Sequence, residues 1–272
     1  MAAPALALSD VLESFRLEPT GECTFTAGSI DIGGPMVYGG QLLGQLLVAA
    51  QEMDPDKVPK TIHTVFAKAG SIDQPLEISC DVMHSGRALG SVTVSATQGE
   101  RLVARSIVLL SAPEPDFISH ADPAPGLAPP AEGGDVGPRE AFDSRVVEDV
   151  DVNDPANVAP PRLDVWVRSP GAPDDPATSR ALLAFASDGY LIGTAMLPHE
   201  GVGQSQAHVS VATAVVGHTL TFHDDFDIRD WLLLAHRSGH AGGGRSHGSA
   251  QVFDATGRLV ASYVQDAMIR PM

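Results

Sequence analysis

Two polar residues stand out because their neighbours are apolar. Asp188 lies among Leu182, Leu183, Phe185, Tyr190, Leu191 and Ile192, a stretch with helical character. Gln265 lies between Val264 and Met268 inside Leu259 to Ile269, which reads as a strand. A lone carboxylate in apolar company is costly unless it is paired or put to use. An inward carboxylate could act as a general acid or base. Pattern alone also allows plainer placements: Asp188 on the solvent side of its helix, and Gln265 at an outward position of an alternating strand.

The remaining chemistry-bearing residues say less. Ten histidines are scattered along the chain; His218 and His223 flank strand residues, and His236, His240 and His247 form a loose group. Spacing does not force them to converge, so surface or hydrogen-bonded core histidines are expected and no metal is. Cys23 and Cys80 are the only cysteines. That excludes zinc clusters and a disulfide framework and leaves two small buried or half-buried thiols. The chain has no GxGxxG, P-loop, GxSxG or HExxH pattern. Ala241 to Arg245 is glycine-rich but falls between strands, where a hairpin loop is expected. Asp151 to Asn157 reads as turns, and no cofactor site is expected.

The elements that must position these residues occur twice. Leu42, Leu43, Leu46, Leu47 and Ala50 give a wide apolar helical face, so the spacing predicts a helix over 40–53. Strands are expected near 61–67, 75–84, 90–98 and 101–111. A second helix is expected over 179–196, then strands near 208–223, 231–238, 246–253 and 258–269. Three short matches relate the halves. Ile62-His63-Thr64-Val65 pairs with Gly217-His218-Thr219-Leu220, Ile72 to Leu76 with Ile228 to Leu232, and Gly99 to Ala104 with Thr256 to Ala261. Their offsets drift from 155 to 157 residues, as duplication with small loop changes would produce. Between the halves, Ala112 to Pro138 holds seven prolines and four glycines, too many for a helix or a central strand. The expected organisation is therefore 1–115, a surface linker over 116–139, and 140–272. The class is α+β, with antiparallel sheet wrapped around two central helices.

Composition narrows the function. The 272 residues carry 17 Lys+Arg against 34 Asp+Glu, a net charge of −17. A field of that sign repels phosphate, so neither a nucleic-acid partner nor an anionic membrane surface is expected. A local basic pocket could still hold an anionic small substrate. Hydrophobic residues make up 43%, enough for a sizeable core. Residues 1–12 lack a basic leader, and no apolar run reaches the ~18–20 residues of a spanning helix. The final Arg270-Pro271-Met272 is no peroxisomal address. A cytoplasmic protein is the expectation.

Taken together, the pieces resemble the acyl-CoA thioesterase II family of fused double hot-dog enzymes. The resemblance covers nearly the whole chain. It rests on Tyr38 to Gln45, Ile62 to Phe66 with Gly70, and Ser111 to Glu114 in the first half. In the second it rests on Ser187-Asp188, Leu191, Phe222-His223, Trp231 to Leu233 and Val264 to Asp266. It implies a tandem double hot-dog fold and hydrolysis of acyl-CoA to free acid and CoA. It also implies that an Asp, a Thr or Ser, and a Gln orient the attacking water, with Asp188 and Gln265 in the first and last places. Backbone N–H groups at a helix start would suit the developing oxyanion.

The third place departs from the family pattern. Val215 stands where Thr or Ser belongs, and Gly217 where Asp usually precedes the histidine matching His218. Thr213 and Thr219 lie two and four residues from Val215, on its face in a regular strand, and Thr213 is the expected substitute. Ala67-Lys68-Ala69-Gly70 likewise replaces a stretch ending Arg-Pro-Gly. Two alternatives remain beside thioester hydrolysis: an acyl-CoA-binding relative with an incomplete catalytic set, and enoyl-CoA hydration, against which the missing Asp/His pair counts. Hot-dog units pair, so a homo-oligomer is plausible on the resemblance.

Overall fold

The computed structural model describes residues 6–131, 140–147 and 150–272. Twelve strands form one antiparallel sheet. In the first half they are β1 (Glu18–Gly21), β2 (Thr24–Ala27), β3 (Val58–Phe66), β4 (Leu76–Ser85), β5 (Leu89–Gln98) and β6 (Arg101–Ser111). In the second they are β7 (Asp143–Val146), β8 (Arg162–Arg168), β9 (Val211–Phe222), β10 (Leu232–Gly242), β11 (Arg245–Asp254) and β12 (Leu259–Pro271). The helices are α1 (Leu8–Ser14), α2 (Gly39–Glu52), α3 (Pro176–Ser187) and α4 (Leu191–Met196).

Strand order is β1-β2-β4-β5-β6-β3-β9-β12-β11-β10-β8-β7. Read outward from the β3–β9 junction, each side runs third, sixth, fifth, fourth, second and first strand of its half. That palindrome is what duplication of one unit requires. The junction ladder runs from Thr61 opposite Thr221 to Val65 opposite Gly217. Cross-strand contacts on the outer face reinforce it: Thr61 Oγ1 lies 3.1 Å from Thr221 Oγ1, and His63 Nδ1 lies 2.6 Å from Thr219 Oγ1.

The pleat corrects the sequence match at this point. His63 faces outward and is exposed, whereas His218 is 1% exposed and faces the core. A one-residue slip in register reverses the face of every side chain. The two histidines are therefore not structural counterparts, although the strands that carry them are.

α2 lies buried as its composition demands, with Leu42, Leu43, Leu46, Leu47, Ala49 and Ala50 all in the core. Small residues permit close approach; a Cβ on Gly44 would collide with the Phe15 ring. One core cluster spans both halves and includes α2, α3 and the inner residues of the strands. A second, smaller cluster lies on the outer face: Trp166, Trp231, Leu233 and Phe253. The proline-rich segment covers it with Ala124 and Leu127, and Gln251 Nε2 donates to Asp122 Oδ2 at 2.6 Å. Residues 112–131 hold no helix or strand, and the rest of the expected linker, 132–139, lies outside the described residues.

Two further expectations change. The helix expected over 179–196 is two helices, broken at Asp188-Gly189-Tyr190. Short β1, β2, β7 and β8 add strands ahead of each central helix that periodicity did not reveal. The glycine-rich loop is the β10–β11 hairpin, with Gly243 and Gly244 at φ 59° and 73° between Gly242 and Arg245. Two consecutive positive φ values make the tight turn that suits twisted strands. Among the described residues no helix is long and apolar enough to cross a membrane.

Candidate active site

The break after α3 places Asp188. It is the C-cap residue of that helix, at φ −79° and ψ −12°, and is 8% exposed. A carboxylate at a helix C-terminus meets the negative end of the helix dipole. Here the N-terminus of α2 offsets that: the Gly40 N–H donates to Asp188 Oδ2 at 3.1 Å. The approach needs glycine. A Cβ on Gly39 would lie 2.7 Å from Asp188 Oδ2, and one on Gly40 would run into the Phe185 carbonyl oxygen. Tyr38 closes the corner, its hydroxyl donating to that same carbonyl at 3.3 Å while its ring packs edge-on against Phe185 at 4.8 Å.

Gln265 meets the carboxylate from β12. It is 2% exposed, and its Nε2 donates to Asp188 Oδ1 at 3.1 Å. Both sequence-selected residues thus turn inward and touch, across 77 positions of chain. Burial pushes the Asp188 carboxyl up from the usual 3.8 to about 7, against the opposing pull of the Gly40 and Gln265 hydrogen bonds. A carboxylate with that value is half-ionised near neutrality, as a general base needs to be.

Thr213 is not brought to this pair. A bulge at Val216 shifts the β9–β12 register between Asp266 and Ala267. Past the bulge, Val215 and Thr213 face inward opposite Ala267 and Ile269. Thr213 is buried, but its partner Ile269 is four residues beyond Gln265, about 13 Å along the strand at ~3.3 Å per residue. Thr219 is on the opposite face, bound to His63, because the bulge breaks the simple alternation. Of the sites expected for an oxyanion, the Gly40 N–H is already committed to Asp188.

His218 stands near the pair, where neither Thr213 nor Thr219 reaches. It stands directly opposite Gln265 in the β9–β12 ladder and is buried. Its Nε2 lies 3.0 Å from Ser187 Oγ, next in chain to Asp188. The Tyr263 ring stacks on it at 5.4 Å. Behind it, Tyr263 donates its O–H to His236 Nε2 at 2.6 Å, and His236 Nδ1–H donates to the Leu163 carbonyl at 2.8 Å. Burial lowers His218 to about 3 and His236 to about 4, so both imidazoles are neutral. The sequence contained the signals for this layer, Ser187 beside Asp188 and His218 in a strand, but spacing could not say which face His218 takes. Among the described residues, no group of three His, Cys, Asp or Glu side chains could hold a metal ion.

Comparison with known proteins identifies the family. The acyl-CoA thioesterase C-terminal domain profile matches residues 119–269, and the N-terminal domain profile matches residues 26–111. The chain belongs to the acyl-CoA thioesterase II family. It is 29% identical to acyl-CoA thioesterase 2 of Haemophilus influenzae, over 97% of this chain and 98% of that one. An acyl-CoA thioesterase II of Mycobacterium marinum, at 26% identity, superposes with a TM-score of 0.80 over 96% of this chain and 97% of its own. A hot-dog protein from Alicyclobacillus acidocaldarius shares the fold at 18% identity and a TM-score of 0.77, covering 96% of this thioesterase and 97% of itself. This thioesterase is accordingly a hydrolase with a hot-dog fold and a large antiparallel sheet.

Proposed function

We propose that this chain hydrolyses acyl-CoA thioesters with a water activated by Asp188 and oriented by Gln265. The observation that carries this reading is the buried Asp188–Gln265 contact, 3.1 Å long, at a carboxyl held near 7. Each carboxylate oxygen accepts one protein hydrogen bond and keeps a lone pair for water. Water oxygen attacks the thioester carbonyl carbon while one of its protons passes to Asp188. The tetrahedral adduct expels the CoA thiolate, which takes that proton back, leaving free acid and CoA. No covalent enzyme intermediate is needed when the water is held in line.

The same reading makes the fold a tandem pair of hot-dog units, approximately 1–115 and 140–272, joined through β3 and β9. Its support is the palindromic strand order and the placement of one central helix in each half. The site draws on both units: Gly40 from the first, Asp188 and Gln265 from the second.

The test is release of free thiol from a panel of acyl-CoAs of graded chain length, with equilibrium binding of the same panel alongside. Release that falls with Asp188→Asn is the expected result. Binding of the panel without release by the native chain would overturn hydrolysis as its function.

A further inference from the structure

We propose that His218 is a third water-orienting residue, its Nδ1 accepting the proton of the attacking water that is not transferred to Asp188. This inference rests on the hydrolytic reading above and assigns a role to a residue outside the Asp188–Gln265 pair.

Four side chains close a ring. Asp188 accepts from Gln265, Gln265 stands opposite His218, His218 meets Ser187, and Ser187 precedes Asp188 in the chain. Directly opposed residues hold their Cβ atoms ~5 Å apart, so the Gln265 and His218 side chains are neighbours on the inner face. Proton positions within the ring follow from its hydrogen bonds. Ser187 Oγ donates its single proton to the Ala184 carbonyl at 2.9 Å. Its oxygen must then accept from His218, which puts the imidazole proton on Nε2. Nδ1 is left as a bare acceptor.

Two buried acceptors of this ring therefore lack a protein donor: His218 Nδ1 and Gln265 Oε1. Buried polar atoms normally find a partner, and a pair of like acceptors can be satisfied only by a species that brings protons. A thioester carbonyl oxygen would be repelled there. Water has the protons this needs, one O–H for Asp188 and the other for a three-centre contact between Oε1 and Nδ1. With both protons so engaged, the water's lone pair is left free to attack a thioester carbonyl. The Nδ1 contact also supplies an anchor on β9, where Val215 has no hydroxyl to offer. The low basicity of the buried imidazole keeps Nδ1 an acceptor across the working pH range.

Two substitutions separate this role from a structural one. His218→Gln reaches Ser187 but removes the acceptor at the Nδ1 position. His218→Asn keeps an oxygen near the Nδ1 position but cannot reach Ser187. Losing one neutral hydrogen bond to a reacting water lowers kcat about threefold to tenfold. Acyl-CoA hydrolysis should show that loss for His218→Gln at nearly unchanged KM, with a smaller loss for His218→Asn. If His218 serves only to brace Ser187, the order reverses, and that result, or equal losses, overturns the proposal. Retained kcat in His218→Gln, in a protein whose activity Asp188→Asn removes, would sink the role of His218 and leave the hydrolytic reading standing. No thiol release by the native chain would overturn both. Should either variant fail to fold, nitrogen-15 NMR of histidine-labelled native protein decides the tautomer. An unprotonated Nδ1 is expected for His218, and a protonated one refutes the proposal.

Discussion

Asp188→Asn tests the base and its electrostatic cost together. In the native protein the carboxyl titrates near 7 rather than at the ordinary 3.8, because it is buried. The folded state thus binds this proton more tightly than the unfolded chain does. The sign follows: with the folded pKa raised, the penalty is absent below about pH 4, grows as pH rises and is complete above about pH 7. At about 1.4 kcal/mol per pH unit, the interval from 3.8 to about 7 corresponds to about 4 kcal/mol. The asparagine variant carries no such charge. Its amide also keeps the local bonds: Gln265 can turn its own amide to present Oε1, the oxygen without a protein donor, to the new Nδ2. Urea unfolding from pH 4 to pH 8 should therefore show the variant gaining on the native protein by up to about 4 kcal/mol as pH rises.

Activity should move the other way. Loss of a general base costs about 10²–10⁴ in turnover, with substrate binding largely kept. Native kcat/KM should rise with pH through about 7 and level off, since only the ionised carboxylate can take the proton. A pH-independent stability difference between the two proteins would refute the buried, perturbed carboxyl. Full turnover in the variant would refute its role as base.

Three further outcomes are expected. Gly39→Ala places a methyl 2.7 Å from Asp188 Oδ2, so it should cut turnover at least tenfold while the far-UV circular dichroism stays native-like. Tyr263→Phe leaves His236 Nε2 buried without a donor, and urea denaturation should register a loss of about 1–3 kcal/mol. Val215→Thr adds a hydroxyl on the inner face beside the His218 position and should raise hydrolysis by up to about tenfold, whereas Thr213→Val, about 13 Å along the strand from Gln265, should leave it within about threefold; the opposite pattern in steady-state rates would put the missing hydroxyl at Thr213.

What the sequence disclosed depended on the range of the signal. α2 was legible because its apolar face is broad and its neighbours small, and β5, β6, β11 and β12 because turns bound them. The break at Asp188-Gly189 was not, since apolar residues continue on both sides and periodicity alone cannot register a capped end. β1, β2, β7 and β8 are mostly short, and their pairing is set by distant partners rather than by their own composition. Asp188 and Gln265 could be singled out as misfits in apolar runs. Their contact, and the Gly40 N–H that completes it, come from long-range folding. The bulge at Val216 is the sharpest case. One extra residue in β9 keeps Thr213 on the inner face yet sends Thr219 to the outer one, and no local pattern announces it.

The palindromic strand order also bears on why a single carboxylate is singled out. α2 and α3 hold equivalent places in the palindromic order, so each helix offers an end of each polarity. Past the C-terminus of α2 come Asp54 and Asp56, and Lys57 Nζ neutralises Asp54 at 2.6 Å. At the N-terminus of α3 the free N–H groups of Ala177 and Thr178 are taken by Asp175, at 3.4 and 2.8 Å. Those ends are closed by local partners within three residues. The other two meet each other, with Gln265 as the one further partner of the carboxylate: Asp188 has no cation among its hydrogen-bond partners, and the start of α2 begins with glycines that carry no capping side chain. Local pairing silences one pair of helix ends; lack of it leaves the other pair a buried, uncompensated carboxylate. Burial, with no cation to offset it, is what raises Asp188 to the range in which it can exchange a proton with water.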